Sequence, residues 1–314
     1  MAYDVAALGT YTQPNEKTLL VKAVLGAKTI GLIKAKGGTI MTGVKTKSQL
    51  PSMDTDAVFQ DGRGCGFTAS GTTKISTRAV EVGNIKVQES LCPQAVEDSF
   101  EQANLIAGSD YTEIIFAQQY LDLKAAKIAL AVENLIWSGD KASADPQLKR
   151  IDGFRKVIKA APDKINGNTG GVVATTGITE GNVIAILKGI YKSFPAAKIE
   201  ADNAFIMVGQ EVLRLYNSAL VEKNLFNHDA STTVGEATLF GTNMKMYSTS
   251  GLNMTNEIYG GTWDNLVFAT DLMDENEKVE FKYAPEAEEV RYSVRFKAGV
   301  QVAYPDEIVA FKLG

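Results

Sequence analysis

Residues 111–138 read YTEIIFAQQYLDLKAAKIALAVENLIWS, the run with the clearest periodicity in the chain. Ile114, Leu121, Ala125, Ile128, Val132 and Leu135 recur at spacings of seven, four, three, four and three. Those spacings predict one helix with a single apolar stripe, and Asp122, Lys124, Lys127 and Glu133 fall off it. Asp110 can cap it with Glu113 three residues on, and Gly139 follows as a stop. At 1.5 Å per residue the rod is about 40 Å long. The seven-residue spacing also admits a coiled coil, but the charge pattern is thin and a helix laid across a sheet fits better.

Upstream, residues 39–91 read as extended chain. Thr39–Lys47 and Thr72–Val82 are rich in Thr and β-branched residues with rough alternation. Between them, Asp61-Gly62-Arg63-Gly64-Cys65-Gly66-Phe67 has the glycine content of a flexible hairpin tip. A two-stranded excursion of this kind is marginal in water, so a neighbouring surface is expected to support it. Downstream, Gly139 and Asp140 open a polar loop. Helices at about 180–193 and 211–220 then alternate with strands at 204–208 and 244–247, the texture of a compact α/β lobe. The tail is strand-rich again at 266–269, 279–283, 290–303 and 308–312.

Composition narrows the function. The chain has 314 residues, a formal charge of −5, one histidine and two cysteines. A mildly acidic protein is poorly suited to wrapping nucleic acid. A Ser/His/Asp hydrolase would rest on His228, which sits in a polar loop with no nominated partner. Two cysteines and one histidine cannot build a structural zinc site. Cys65 and Cys92 are expected to be free thiols. Residues 1–10 lack the basic start of a secretory signal, and no apolar run approaches the roughly 20 residues needed to span a bilayer. A soluble protein made in a reducing cytoplasm is the expectation. Gly38–Thr46 nearly matches a phosphate-binding loop, but Val44 separates Gly43 from Lys45 and the stretch continues as strand. Asp271, Asp274, Glu275 and Glu277 lack the spacing of a calcium loop and read as a solvated turn. Asn253-Met254-Thr255 is a formal glycosylation sequon, without meaning in an unsecreted protein.

Charge is segregated. Residues 1–50 carry lysines 17, 22, 28, 34, 36, 45 and 47 against Asp4 and Glu16, a balance of +5. Residues 271–291 carry eight acids against Lys278, Lys282 and Arg291, a balance of −5. The two stretches are able to attract each other within one molecule or between copies.

The order of elements is basic extended start, glycine-tipped excursion, long helix, α/β lobe and strand-rich return. It resembles the tailed-phage major capsid proteins of the Hong Kong 97 type over essentially the whole chain. Trp137-Ser138-Gly139-Asp140, Asp145-Pro146-Gln147-Leu148 and Ile151-Asp152-Gly153-Phe154 are similar to the family's usual helix exit, and Val290–Val309 to its closing strands. The resemblance implies an α+β fold in five parts. These are an N-terminal arm at 1–30, an extended loop with its base strands at 31–90, and a peripheral domain at 91–170 with a spine helix at 111–138. An axial domain follows at 171–261, and return strands at 262–314 complete the peripheral domain.

The implied function is structural: many copies form pentamers and hexamers in an icosahedral head shell around double-stranded DNA. The resemblance implies no catalytic residue, no metal and no cofactor. It implies a virion location, assembly in the host bacterial cytoplasm, and no membrane. Implied partners are other copies, a separate scaffolding protein, a portal, cement proteins and packaged DNA held non-specifically. A separate scaffold is expected because extended basic sequence starts at Met1 rather than a long helical segment. An encapsulin-like compartment shell shares the fold, and a small-molecule-binding α/β enzyme or a minor virion protein are the more distant alternatives. Some family members crosslink through a loop lysine, but no motif pairs Lys74 with an asparagine here. The candidate interface residues are Lys17, Lys22, Lys28, Arg63, Phe67, Lys74, Asp274, Glu275, Glu277 and Glu286. The arm lysines are expected to meet the 271–291 acids between subunits.

Overall fold

The computed structural model describes residues 23–60, 62, 66–67, 69–91, 113–170, 177–199, 203–224, 235–271, 279–284, 286–287 and 289–312. In chain order the helix α1 (Lys28–Ala35) leads into β1 (Thr39–Met41), β2 (Lys47–Thr55), β3 (Thr73–Glu81) and β4 (Gly83–Leu91). The long helix α2 (Glu113–Ser138) and the short α3 (Phe154–Ala160) precede β5 (Ile165–Asn166). Then come α4 (Val183–Ser193), β6 (Ala204–Gly209) and α5 (Gln210–Glu222). The remainder is β7 (Glu236–Thr238), β8 (Lys245–Thr249), β9 (Glu257–Thr262), β10 (Leu266–Thr270), β11 (Val279–Ala284), β12 (Glu289–Val302) and β13 (Val309–Lys312).

These strands form two sheets and a separate ribbon. The first sheet centres on β12, a 14-residue strand that alternates buried and exposed positions. It is flanked antiparallel by β4 on one side and by β10 and β11 on the other, with β1 added parallel to β10. The second sheet runs β5-β13-β9-β6-β8-β7. The ribbon is β2 paired antiparallel with β3, from Lys47 opposite Glu81 to Thr55 opposite Thr73.

The long helix packs as its spacing predicts. Leu121, Ala125, Ile128, Val132 and Leu135 are buried, and all but Leu135 join one core with Tyr292, Val294, Phe296, Ala298 and Val300 of β12. Glu133 departs from the expectation. It is 3 % exposed, because the second sheet covers the last turns of α2 on another side and widens the buried face. Both sheets therefore share one core around Trp137, which packs on Phe154 and Tyr259 at ring-centroid distances of 5.3 and 5.9 Å. The opposite face of the second sheet buries Ile206, Val208, Met246, Ile258 and Phe311 under α4 and α5.

The helix exit turns on glycine. A Cβ on Gly139 would stand 2.5 Å from the Leu135 carbonyl oxygen, and one on Gly153 would stand 2.6 Å from that of Trp137. Neither distance is tolerable, so the chain crosses itself here only without side chains.

Two expected boundaries move. Ala23, Val24, Ala27, Thr29 and Ile30 are buried, so the segment expected as an arm to residue 30 is core from Ala23 onward. Their apolar spacing resembles a buried helix face, which the lysine count had masked. The helix is described from Glu113 onward, and residues 111 and 112 and the expected cap Asp110 lie outside the described residues. The tail also divides. β10 to β12 join the first sheet, but Val309–Lys312 lies in the second, antiparallel to β9 and parallel to β5. The short turn at Pro305–Glu307 redirects the chain between them.

Candidate assembly surface

The ribbon is held at its base and bare at its tip. Val44 and Val80 pack on Val267 and Ala269. Gln301 donates its side-chain amide to the Ala79 carbonyl at 2.7 Å. Glu81 takes Lys141 at 2.8 Å and Lys47 at 3.4 Å, and the Lys141 hydrogen bond leads in holding its carboxyl below the usual range. Farther out, the contacts between the two strands are polar: Ser52 with Ser76 at 2.5 Å and Thr55 with Thr73 at 3.0 Å.

No apolar face is buried in that outer part. Met53 and Ile75, opposite each other in register, are 62 % and 73 % exposed. Phe59 and Phe67 are 98 % and 94 % exposed. Scattered exposed hydrophobics are ordinary, but phenylalanines bare to this degree on one hairpin form an unfinished contact. Sequence reasoning found Phe67 but missed Phe59, Met53 and Ile75. The available signal was a strand pair carrying apolar residues with no second layer to receive them.

Between the outer ribbon and the body lies a cleft of about 400 Å³, with Lys74 and Arg78 on the ribbon and Asp163 and Asp306 on the body. Lys74 is thus at the ribbon's inner flank and Phe67 near its tip. Glu286 is exposed in the turn between β11 and β12. Lys28 is only half-exposed and donates within its own chain, to the Gly235 carbonyl at 3.0 Å. Burial lowers the Lys28 pKa, partly opposed by Glu236 and Glu133. The structure brings none of these four residues into an ion pair with another. Lys17, Lys22, Arg63, Asp274, Glu275 and Glu277 lie outside the described residues. Asp271, which opens the acidic stretch, is buried and takes Lys297 of the same chain at 2.6 Å.

Two buried carboxylates fix the body that carries the ribbon. Glu133 accepts from the Thr29 N–H at 2.9 Å and from the hydroxyls of Thr29 and Thr249, each at 2.5 Å. Trp137 Nε1 donates to the same Thr29 hydroxyl at 2.8 Å, so α1, α2 and β8 meet at one point. Glu257 takes Arg155 at 2.7 Å, Lys159 at 2.6 Å and the Tyr259 hydroxyl at 2.7 Å. Burial raises the Glu257 pKa, but the hydrogen bonds from Arg155, Lys159 and Tyr259 outweigh it and bring the group down to about 2. These clusters hold elements together: Glu133 joins α1, α2 and β8, and Glu257 joins α3 to β9. Among the described residues, no group of three His, Cys, Asp or Glu is placed to hold a metal ion, and no helix is long and apolar enough to cross a membrane.

Among the described residues the body is well packed, and the β2–β3 hairpin carries exposed apolar side chains. Solved structures share this fold. A chain of the satellite phage P4 procapsid, solved with its size determination (Sid) protein, superposes with a TM-score of 0.59 at 11 % identity, over 96 % of this chain and 98 % of that one. A chain from the capsid of an empty GTA particle gives 0.54 at 14 % identity, over 93 % and 90 %. One from the capsid of Myoviridae phage XM1 gives 0.52 at 10 % identity, over 90 % and 92 %. No protein-family model matches the sequence, and no curated protein matches it. The chain has the α+β fold found in phage capsid proteins, along nearly its whole length.

Proposed function

We propose that this chain is the major capsid protein of a tailed bacteriophage of the Hong Kong 97 type, many copies of which close into an icosahedral head shell around double-stranded DNA. The observation that carries the reading is the β2–β3 ribbon. On a fold shared with capsid chains, it presents Phe59 and Phe67 to solvent with nothing among the described residues to cover them. Weak, repeated contacts of that kind suit a shell that must close reversibly before it is finished. In this reading the ribbon is the extended loop that lies on an adjacent subunit. The α2 helix is the spine, and the lobe of α4, α5 and the second sheet meets its copies around the fivefold and sixfold axes.

The protein works as a structural element and not as an enzyme. It resides in the virion and assembles in the host cytoplasm with a separate scaffolding protein, a portal and, on the outside, cement proteins. DNA is contained without sequence preference. Lys17 and Lys22 are the arm lysines left to meet Asp274, Glu275 and Glu277 between subunits, since Lys28 is engaged inside its own chain. Negative-stain microscopy of the purified chain tests the reading. Closed polyhedral shells are expected, and persistent monomers under assembly conditions overturn it. Assembly that ignores rising ionic strength removes the arm-to-acid contact alone.

A further inference from the structure

The solvent flank of α2 and the strand β4 enclose a groove of about 440 Å³. Ile85, Lys86, Val87 and Gln88 all line it. Successive side chains of a strand point to opposite faces, so a groove that touches four in a row runs along the strand's edge. Among the described residues β4 pairs only with β12, from Gly83 opposite Ala298 to Leu91 opposite Val290. Among the described residues its other edge has no strand partner, and an edge of that kind presents backbone N–H and C=O groups that a stray strand is able to join. The floor beside that edge is apolar, with Ile128, Val132 and Leu135 of α2. The rim is basic. Lys124 is engaged by Glu89, but Lys86, Lys127 and Arg150 have no ion-pair partner among the described residues. Lys86 also stands directly across the ladder from Arg295, a like-charged pair that costs stability unless an anion comes near.

We propose that the open edge of β4 receives an extended, acidic segment of a different polypeptide, added to the first sheet as a further strand. Backbone hydrogen bonds to β4 hold it, alternate apolar side chains meet the floor of Ile128, Val132 and Leu135, and the intervening carboxylates meet Lys127 and Arg150. Charge sets the choice of partner and the rate of encounter, and the backbone ladder sets the residence time. Duplex DNA fits less well, because a phosphate backbone makes no use of the apolar floor. The ribbon tip of a second copy fits less well too, since its sequence brings Arg63 and three glycines to an already basic edge. The groove is complete in one chain, so the inference does not depend on shell closure.

The full chain is titrated, as a dilute unassembled protein, with a labelled peptide of alternating Val and Glu as long as β4, followed by fluorescence anisotropy and amide hydrogen exchange. Saturable binding with slowed exchange at residues 83–91 is expected, and Lys127→Glu with Arg150→Glu should weaken it by roughly tenfold or more. Both changed residues are on the surface, so the unfolding midpoint checks that the fold is intact. Equal binding of the matching Val–Lys peptide overturns the proposal, as does protection that falls outside β4. Displacement by duplex DNA would assign the groove to nucleic acid instead. Protection of 83–91 that appears with rising protein concentration alone would assign it to a second copy.

Discussion

The strand β6 and the strand β3 are both short, both rich in residues that favour strands, and differ in what surrounds them. Every residue of β6 from Ala204 to Gly209 is buried, with α4 and α5 on one face and Trp137 and its neighbours on the other. In β3 only Val80 is buried, and Thr73 to Arg78 rise out of the body with one partner strand. The second sheet finds all its layers within 314 residues. The ribbon finds one strand and no layer. Local sequence builds a strand in both places, and the location of the covering layer decides whether a substitution is felt by the monomer or by the assembly.

That contrast breaks most visibly at Trp137. Trp137→Ala should lower the unfolding free energy by about 3–5 kcal/mol, read from denaturant midpoints, because both sheets share that side chain. A loss under about 1 kcal/mol would mean that the two sheets are not joined through this core. Acid is the next lever. The Glu257 carboxyl sits at about 2 in the folded chain, below its ordinary value of 4.5, so its contribution is fully present above 4.5 and fades as pH falls towards 2. It should reach up to about 3 kcal/mol, and Glu257→Gln should flatten the stability profile across that window. At Glu133 the change Glu133→Gln places an amide N–H₂ against the Thr29 hydroxyl or its N–H, with an expected loss of about 2 kcal/mol. At the other end of the scale, Phe59→Ser should leave the monomer within about 0.5 kcal/mol of the parent and yet reduce shell yield under microscopy. A monomer that loses stability with Phe59→Ser would show that the ribbon tip packs on its own body.

The long helix was legible in the sequence because one side of it faces one sheet, and a single stripe leaves a single period. The width of its buried face over the last two turns was not, because Glu133, Ile136 and Trp137, off that stripe, are buried as the second sheet joins the core. A carboxylate among them looks like a surface residue until Thr29 and Thr249, distant in sequence, arrive to satisfy it. The destination of Val309–Lys312 was hidden for a similar reason, since a strand's own residues do not name its partner and β9 lies 47 residues or more earlier. The ribbon showed itself through its glycines, and its bare Phe59 did not, because exposure is a property of what is missing nearby. The open edge of β4 is likewise invisible in sequence, as alternation fixes which faces are apolar and says nothing about which edge is free.

The join between β3 and β4 has a mechanical consequence. Only Val82 separates them, so tension on the ribbon tip passes along the backbone straight into β4. β4 lies alongside β12 through nine residue pairs. Pulled along its own axis, that ladder is loaded in shear, with its hydrogen bonds sharing the force instead of parting one after another. A tether built this way gives little until it fails, and the ribbon can therefore carry a steady outward load while the body it grows from keeps its shape.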